Sequence, residues 1–263
     1  MKLKEIINQS WYGSIGYIDS YSSLEIFLSY LTYNKPVLDE YKEILFAFTY
    51  DNLSKNIIEE NVKNLYPNAN FIFLDKNRGH NFGTADLDNC IIKYCKKNNI
   101  EWLCKTSNDV ILDKEILNIE INNSDFYYLN GFSYETLLLN NFDFKKLKNY
   151  HFYPQTNFYI INISKIDYLI DENYINVTYE EVKNIKNYNG KVWEYFKGWS
   201  CENFLKESVT RNSLKPFHLL NNSNYKKLFD LVKMYKIGDP SHKNIMINGI
   251  CHYHNPNTSI LQI

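Results

Sequence analysis

Ile44-Leu45-Phe46-Ala47-Phe48-Thr49-Tyr50 carries no charge and no regular alternation of apolar with polar side chains. A strand with one face in water reads apolar at every second position. A run without that alternation predicts a strand covered on both faces, as in a parallel sheet clothed by helices. Upstream, Ser14-Ile15-Gly16-Tyr17-Ile18-Asp19 is a shorter β-prone run ending in an acid. Behind it Leu24, Phe27, Leu28 and Leu31 recur at i, i+3, i+4 and i+7, following a Ser22-x-x-Glu25 capping box. That spacing predicts a helix lying on a sheet. Downstream, Ile58, Val62 and Leu65 mark a second helix, and Pro67-Asn68-Ala69-Asn70 is turn chemistry. Phe71-Ile72-Phe73-Leu74 then reads as a third strand, Leu87, Ile91, Tyr94 and Cys95 as its helix, and Trp102-Leu103-Cys104-Lys105 opens a fourth strand. Strands alternating with helices predict an α/β fold with a parallel sheet, right-handed crossovers, and ligands beyond the carboxyl ends of the strands. Chemistry is therefore expected in the loops after Tyr17, Phe48, Leu74 and Lys105.

Beyond about residue 121 the alternation weakens. Aromatic strand-like pieces follow, Phe126-Tyr127-Tyr128-Leu129 and Asn157-Phe158-Tyr159-Ile160-Ile161, with helical stretches from Glu202 to Val209 and from Tyr225 to Tyr235. Tyr153 to Phe158 reads as a loop that could face a ligand, its aromatics equally suited to a core. No Pro-rich linker or repeat separates the halves. The expectation is one domain over 1–263, with a regularly alternating half to about residue 115 and a more irregular half from about 116.

At 44% hydrophobic and 16% aromatic residues, with 29 basic against 30 acidic side chains, the chain belongs to the globular class. A net charge of −1 supplies no global attraction to nucleic acid or an anionic membrane, so any phosphate must be met locally. Met1-Lys2-Leu3-Lys4-Glu5-Ile6-Ile7 lacks a secretory apolar run, and no stretch is apolar enough to span a bilayer. A cytoplasmic protein without a transmembrane segment is expected. Five cysteines, none in a C-x-x-C pair, read as buried thiols.

Each of the first three strand ends carries an aspartate: Asp19, Asp51 beside the flat ring of Tyr50, and Asp75. Such acids accept hydrogen bonds from a base or ribose, and Asp also favours turns and helix caps in any α/β protein. The segment from Asp75 to Asp86 holds Asn77-Arg78-Gly79-His80-Asn81, where glycine permits close approach and Arg78, His80 and a helix N-terminus favour a diphosphate. Neither a dinucleotide G-x-G-x-x-G nor a P-loop spacing is present. At the fourth strand's end, Ser107-Asn108-Asp109 offers one carboxylate, Asp109, to a hard divalent cation. Near the tail, His252 and His254 alternate, so an extended segment would turn both to one side.

Together these segments resemble the GT-A glycosyltransferases, especially the large inverting family 2 of bacterial polysaccharide synthesis, over roughly residues 14 to 115. The resemblance implies a Rossmann-like, mostly parallel sheet and transfer of a sugar from a UDP- or GDP-type donor to the hydroxyl of a glycan or other acceptor. It implies that Asp19, Tyr50, Asp51, Asn77, Arg78, Gly79, Asn81 and Asn108 meet the nucleotide. The family's D-x-D motif falls on Ser107-Asn108-Asp109 and keeps only its last acid. Asp109, with His252 or His254, is thereby implied to hold Mn²⁺ or Mg²⁺. Lys197-Gly198-Trp199-Ser200-Cys201-Glu202-Asn203 resembles the family's Glu-Asp segment, making Glu202 the general base, with Asn203 in place of the usual aspartate. Two other readings stand beside this hexosyltransferase-like one. The loss of acids at Ser107 and Asn108 suits a nucleotide-sugar-binding protein without turnover. A sugar nucleotidyltransferase would want a basic, Gly-rich loop after the first strand, where Asp19-Ser20-Tyr21-Ser22-Ser23 has neither feature.

Overall fold

The computed structural model describes residues 1–50, 53–108, 110–130, 154–167, 172–183, 201–219 and 250–252. Its elements are α1 (Leu3–Ile7), β1 (Ser10–Ile18), α2 (Tyr21–Leu38), β2 (Glu43–Tyr50), α3 (Lys55–Lys63), β3 (Asn70–Leu74), α4 (His80–Lys97), β4 (Trp102–Ser107) and β5 (Val110–Leu112). After a 3-10 turn at Lys114–Asn118 come β6 (Phe126–Asn130), β7 (Pro154–Asn162), α5 (Glu172–Lys183), α6 (Cys201–Arg211), β8 (Pro216–His218) and β9 (Ile250–His252). Seven strands form one sheet in the order β3-β2-β1-β4-β7-β6-β8, and β5 pairs with β9 separately. The first four are mutually parallel. β7 is antiparallel to both its neighbours, so it alone runs against the rest of this sheet. The mostly parallel, helix-flanked sheet expected from the alternation is present.

The uninterrupted apolar run of β2 has its predicted consequence. Phe46 and Phe48 point to one face, where they meet Phe27 of α2 and the buried Ile58 and Val62 of α3. Leu45 and Ala47 point to the other, among Leu87, Ile91 and Cys95 of α4 and Leu205 and Val209 of α6. Successive side chains on a strand alternate sides, so a strand with helices on both faces must be apolar at every position.

Local corrections follow from hydrogen bonding. The α2 cap is Ser20, whose hydroxyl accepts from the Ser23 amide at 3.2 Å while the Ser23 hydroxyl accepts from the Ser20 amide at 3.1 Å. Ser22 and Glu25 are not the capping pair, because α2 already begins at Tyr21 and its N-cap position falls on Ser20. The expected loop from Tyr153 to Phe158 is, from Pro154, the start of β7, and Phe158 is fully buried. The expected helix from Tyr225 to Tyr235 lies outside the described residues. No described helix is long and apolar enough to cross a membrane.

Candidate functional site

Chain order reverses at β1: β2 and β3 build outward on one side, and β4 returns to the other. That is a switch point, and open α/β sheets bind ligands beyond the carboxyl ends of the strands at such a point, here β1 and β4. Asn108 sits there with its side chain against the backbone of Gly16. A Cβ placed on Gly16 would lie 2.7 Å from Asn108 Cγ and 2.8 Å from its Nδ2. Gly16 is paired with Phe48 of β2, and Ile15 beside it with Ser107, the last residue of β4, so the backbone at Gly16 is held in place. Gly16→Ala is expected to cost about 1–3 kcal/mol through overpacking and to displace Asn108. Urea denaturation checks this: the midpoint should fall at constant slope.

Asp19 is exposed at the end of β1 and accepts from the Ser20 hydroxyl at 2.9 Å. Ser23 and Ser20 together hold its carboxyl below the ordinary range. At the ends of β2 and β3 the Tyr50 hydroxyl donates to Asp75 at 2.8 Å, and the Lys55 ammonium lies 3.1 Å from the same carboxylate and 5.2 Å from the Tyr50 ring centroid. One face of Tyr50 is thus already occupied by a cation. Asp51 lies outside the described residues.

The loop from Asn77 to Gly79 is fixed from within. Gly79 caps α4 at φ 85°, a left-handed conformation that favours glycine, and its amide donates to Asn77 Oδ1 at 2.9 Å. Arg78, expected to face an anion, is buried and committed to protein partners. Its Nε donates to Asp86 at 2.7 Å, its Nη2 to the same carboxylate, and its Nη1 to Asn176 of α5 at 2.8 Å. Its guanidinium also stands 5.1 Å from the Tyr179 ring centroid. Asn81 lies in the first turn of α4.

Glu202 opens α6, beside the end of β4. Since β7 is antiparallel to β4, its beginning and not its end arrives there, carrying Thr156. The Thr156 hydroxyl donates to Glu202 Oε1 at 3.3 Å, and the Cys201 thiol approaches Oε2 at 3.4 Å. Beneath them lies a buried charged cluster that the sequence reading missed: Lys105 of β4, Asp88 of α4 and Tyr159 of β7. Lys105 Nζ is 3.1 Å from Asp88 Oδ1 and donates to the Thr156 carbonyl. Burial, helped by the Glu202 charge, pushes the Asp88 carboxyl up to about 6, against the opposing pull of Lys105 and the Tyr159 hydroxyl. One signal was available: a lysine inside Trp102-Leu103-Cys104-Lys105, in a strand covered on both faces, requires a buried counter-charge.

β5 and β9 pair antiparallel, with Val110 opposite His252. The chain immediately after Asp109 and the C-terminal histidine segment therefore meet. β5 is held on its other side by Asn34 of α2, whose Nδ2 donates to the Val110 carbonyl and whose Oδ1 accepts from the Leu112 amide, each at 2.7 Å. Asp109 and His254 lie outside the described residues, and among the described residues no three His, Cys, Asp or Glu side chains cluster as a metal site. Carboxylate and imidazole, the side-chain types of Asp109, His252 and His254, are by their chemistry donors suited to Mn²⁺ or Mg²⁺.

No protein-family model matches the sequence, and no curated protein matches it. Among solved structures, the chain is similar to an active-site mutant of LgtC at 13% identity and TM-score 0.47, over 92% of this chain and 86% of that one. It is similar to mouse xyloside xylosyltransferase 1 in its apo form at 10% identity and TM-score 0.45, over 94% and 99%. It is also similar to the mannosyltransferase Ktr4p from S. cerevisiae at 11% identity and TM-score 0.42, over 81% and 69%.

Proposed function

We propose that this chain is a glycosyltransferase that moves a sugar from a nucleoside-diphosphate donor to an acceptor hydroxyl. The reading is supported by Asp19 standing at the end of β1, Asn108 just past the end of β4 and Glu202 at the start of α6 beside Thr156, with Val110 of β5 paired to His252 of β9. Asp19, Tyr50, Asp51 and the Asn77–Asn81 loop receive the nucleotide. With Arg78 tied to Asp86 and Asn176, phosphate recognition in that loop falls to backbone amides and the start of α4. Asp109 with His252 or His254 would hold Mn²⁺ or Mg²⁺, which supplies charge neutralisation to the departing diphosphate. Glu202 takes the proton from the acceptor hydroxyl, the freed oxygen bonds to the anomeric carbon, and the bond from that carbon to the diphosphate oxygen breaks. Displacement on the face opposite the leaving group inverts the anomeric configuration, and NMR of the product linkage tests that step.

Binding is tested by melting the protein with UDP or GDP, with and without Mn²⁺. At a hundredfold excess over Kd a ligand stabilises the native state by about 2.7 kcal/mol, and the expected result is a rise in Tm requiring both nucleotide and metal. No rise with any nucleoside diphosphate would overturn the reading. The serine and asparagine at positions 107 and 108 favour a second reading, a nucleotide-sugar-binding protein without turnover. Donor hydrolysis abolished by EDTA decides for the enzyme.

A further inference from the structure

Lys105 is fully buried, in a strand whose neighbours Leu103 and Cys104 are apolar. Its ammonium has partners on two elements: the carboxylate of Asp88 on α4, and the Thr156 carbonyl and the Tyr159 ring, at 5.5 Å, on β7. Packing alone does not call for this arrangement. A buried ion pair loses most of its attraction to desolvation, and apolar side chains of the same volume often serve stability as well or better. What the charges do here that an apolar pair would not is grip one particular residue. Thr156 accepts from Lys105 through its carbonyl and donates to Glu202 through its hydroxyl. Its conformation is therefore fixed from below by a charged donor, and its hydroxyl is aimed at the carboxylate above.

We infer that the buried Lys105–Asp88 pair, acting through Thr156, is a positioning device for the Glu202 carboxylate. The inference rests on the glycosyl-transfer reading for its consequence in turnover. The geometry it asserts is independent of that reading. Lys105, Asp88 and Thr156 touch no substrate in this scheme; they hold the group that does. Positioning of this kind shows in the rate of the chemical step, where displacement of a reacting group by about 1 Å costs about a hundredfold.

The test uses the whole chain and five variants, read by stability, by turnover, and by the side-chain carboxyl carbon resonance of Glu202, assigned through its loss in Glu202→Gln. Lys105→Met strands the Asp88 charge and should lower Tm strongly. The double variant Asp88→Leu with Lys105→Met removes both charges and should recover Tm, yet keep kcat depressed by about a hundredfold at unchanged donor KM. Thr156→Val, which loses the hydroxyl that donates to Glu202 and also meets the Cys201 thiol at 3.4 Å, should shift the Glu202 resonance and lower kcat with little change in Tm. Thr156→Ser should restore both. A Glu202 resonance unmoved by Thr156→Val and by the double variant overturns the inference, as does wild-type kcat in either. A shifted resonance in a protein that transfers no sugar from any donor leaves the positioning intact and removes the glycosyl-transfer reading instead.

Discussion

Glu202→Gln is expected to slow sugar transfer by about 10²–10⁴-fold, the usual range for loss of a general base. The substitution is nearly isosteric, and its remaining carbonyl oxygen still accepts from the Thr156 hydroxyl, so the first turn of α6 keeps its tie to β7. The remaining packing of α6, through Phe204, Leu205 and Val209, is buried and untouched. The structural cost is confined to the loss of one acid from a helix N-terminal turn, about 0.3–1 kcal/mol. Donor KM should hold while kcat falls, because an amide cannot take the acceptor's proton. Steady-state kinetics with a donor found in the binding screen make the measurement. A variant turning over at the native rate, or a product of retained configuration, would remove Glu202 from the role of base.

Asn34→Leu should be strongly destabilising, away from that carboxylate. Asn34 is 1% exposed, and its amide occupies the place of a neighbouring strand along β5. Leucine has a similar volume but neither donates nor accepts, so the Val110 carbonyl and Leu112 amide each lose a partner in the interior. At about 1–3 kcal/mol per stranded group, the loss is about 2–5 kcal/mol after allowing for the apolar gain. β5 begins one residue after Asp109, so the stabilisation by Mn²⁺ with nucleotide should shrink as well. Asn34→Asp keeps the acceptor for Leu112 and loses the donor to Val110, and should fall between. Urea midpoints of the three proteins settle the order, and an unchanged midpoint in Asn34→Leu would show that the amide is not what holds β5.

The elements of the first half were legible because each is a local pattern: a period of 3.6 in α2 and α4, an uninterrupted apolar run in β2. Strand ends followed from these, and so did the positions of Asp19, Tyr50 and Asn108. What the pattern could not supply is partnership across long separations. Arg78 reads as a free cation until Asp86 and Asn176 close on it, and the second of these comes from an element in the other half of the chain. The reversed direction of β7 leaves no trace in its own composition, although it is what brings Thr156 to Glu202. Lys105 was missed too, although its charge in an apolar strand was a signal that a buried partner had to exist.

The small β5–β9 sheet joins residues separated by about 140 positions, a loop whose closure entropy grows only slowly with length but must be met before any of its contacts form. During synthesis, the strands from β1 to β4 can assemble while the ribosome is still translating the second half. β5 has no ninth strand to pair with until residue 252 has been made. The four parallel strands are thus an early product of translation, and the small sheet beside the proposed cation site is completed only once residue 252 has been made.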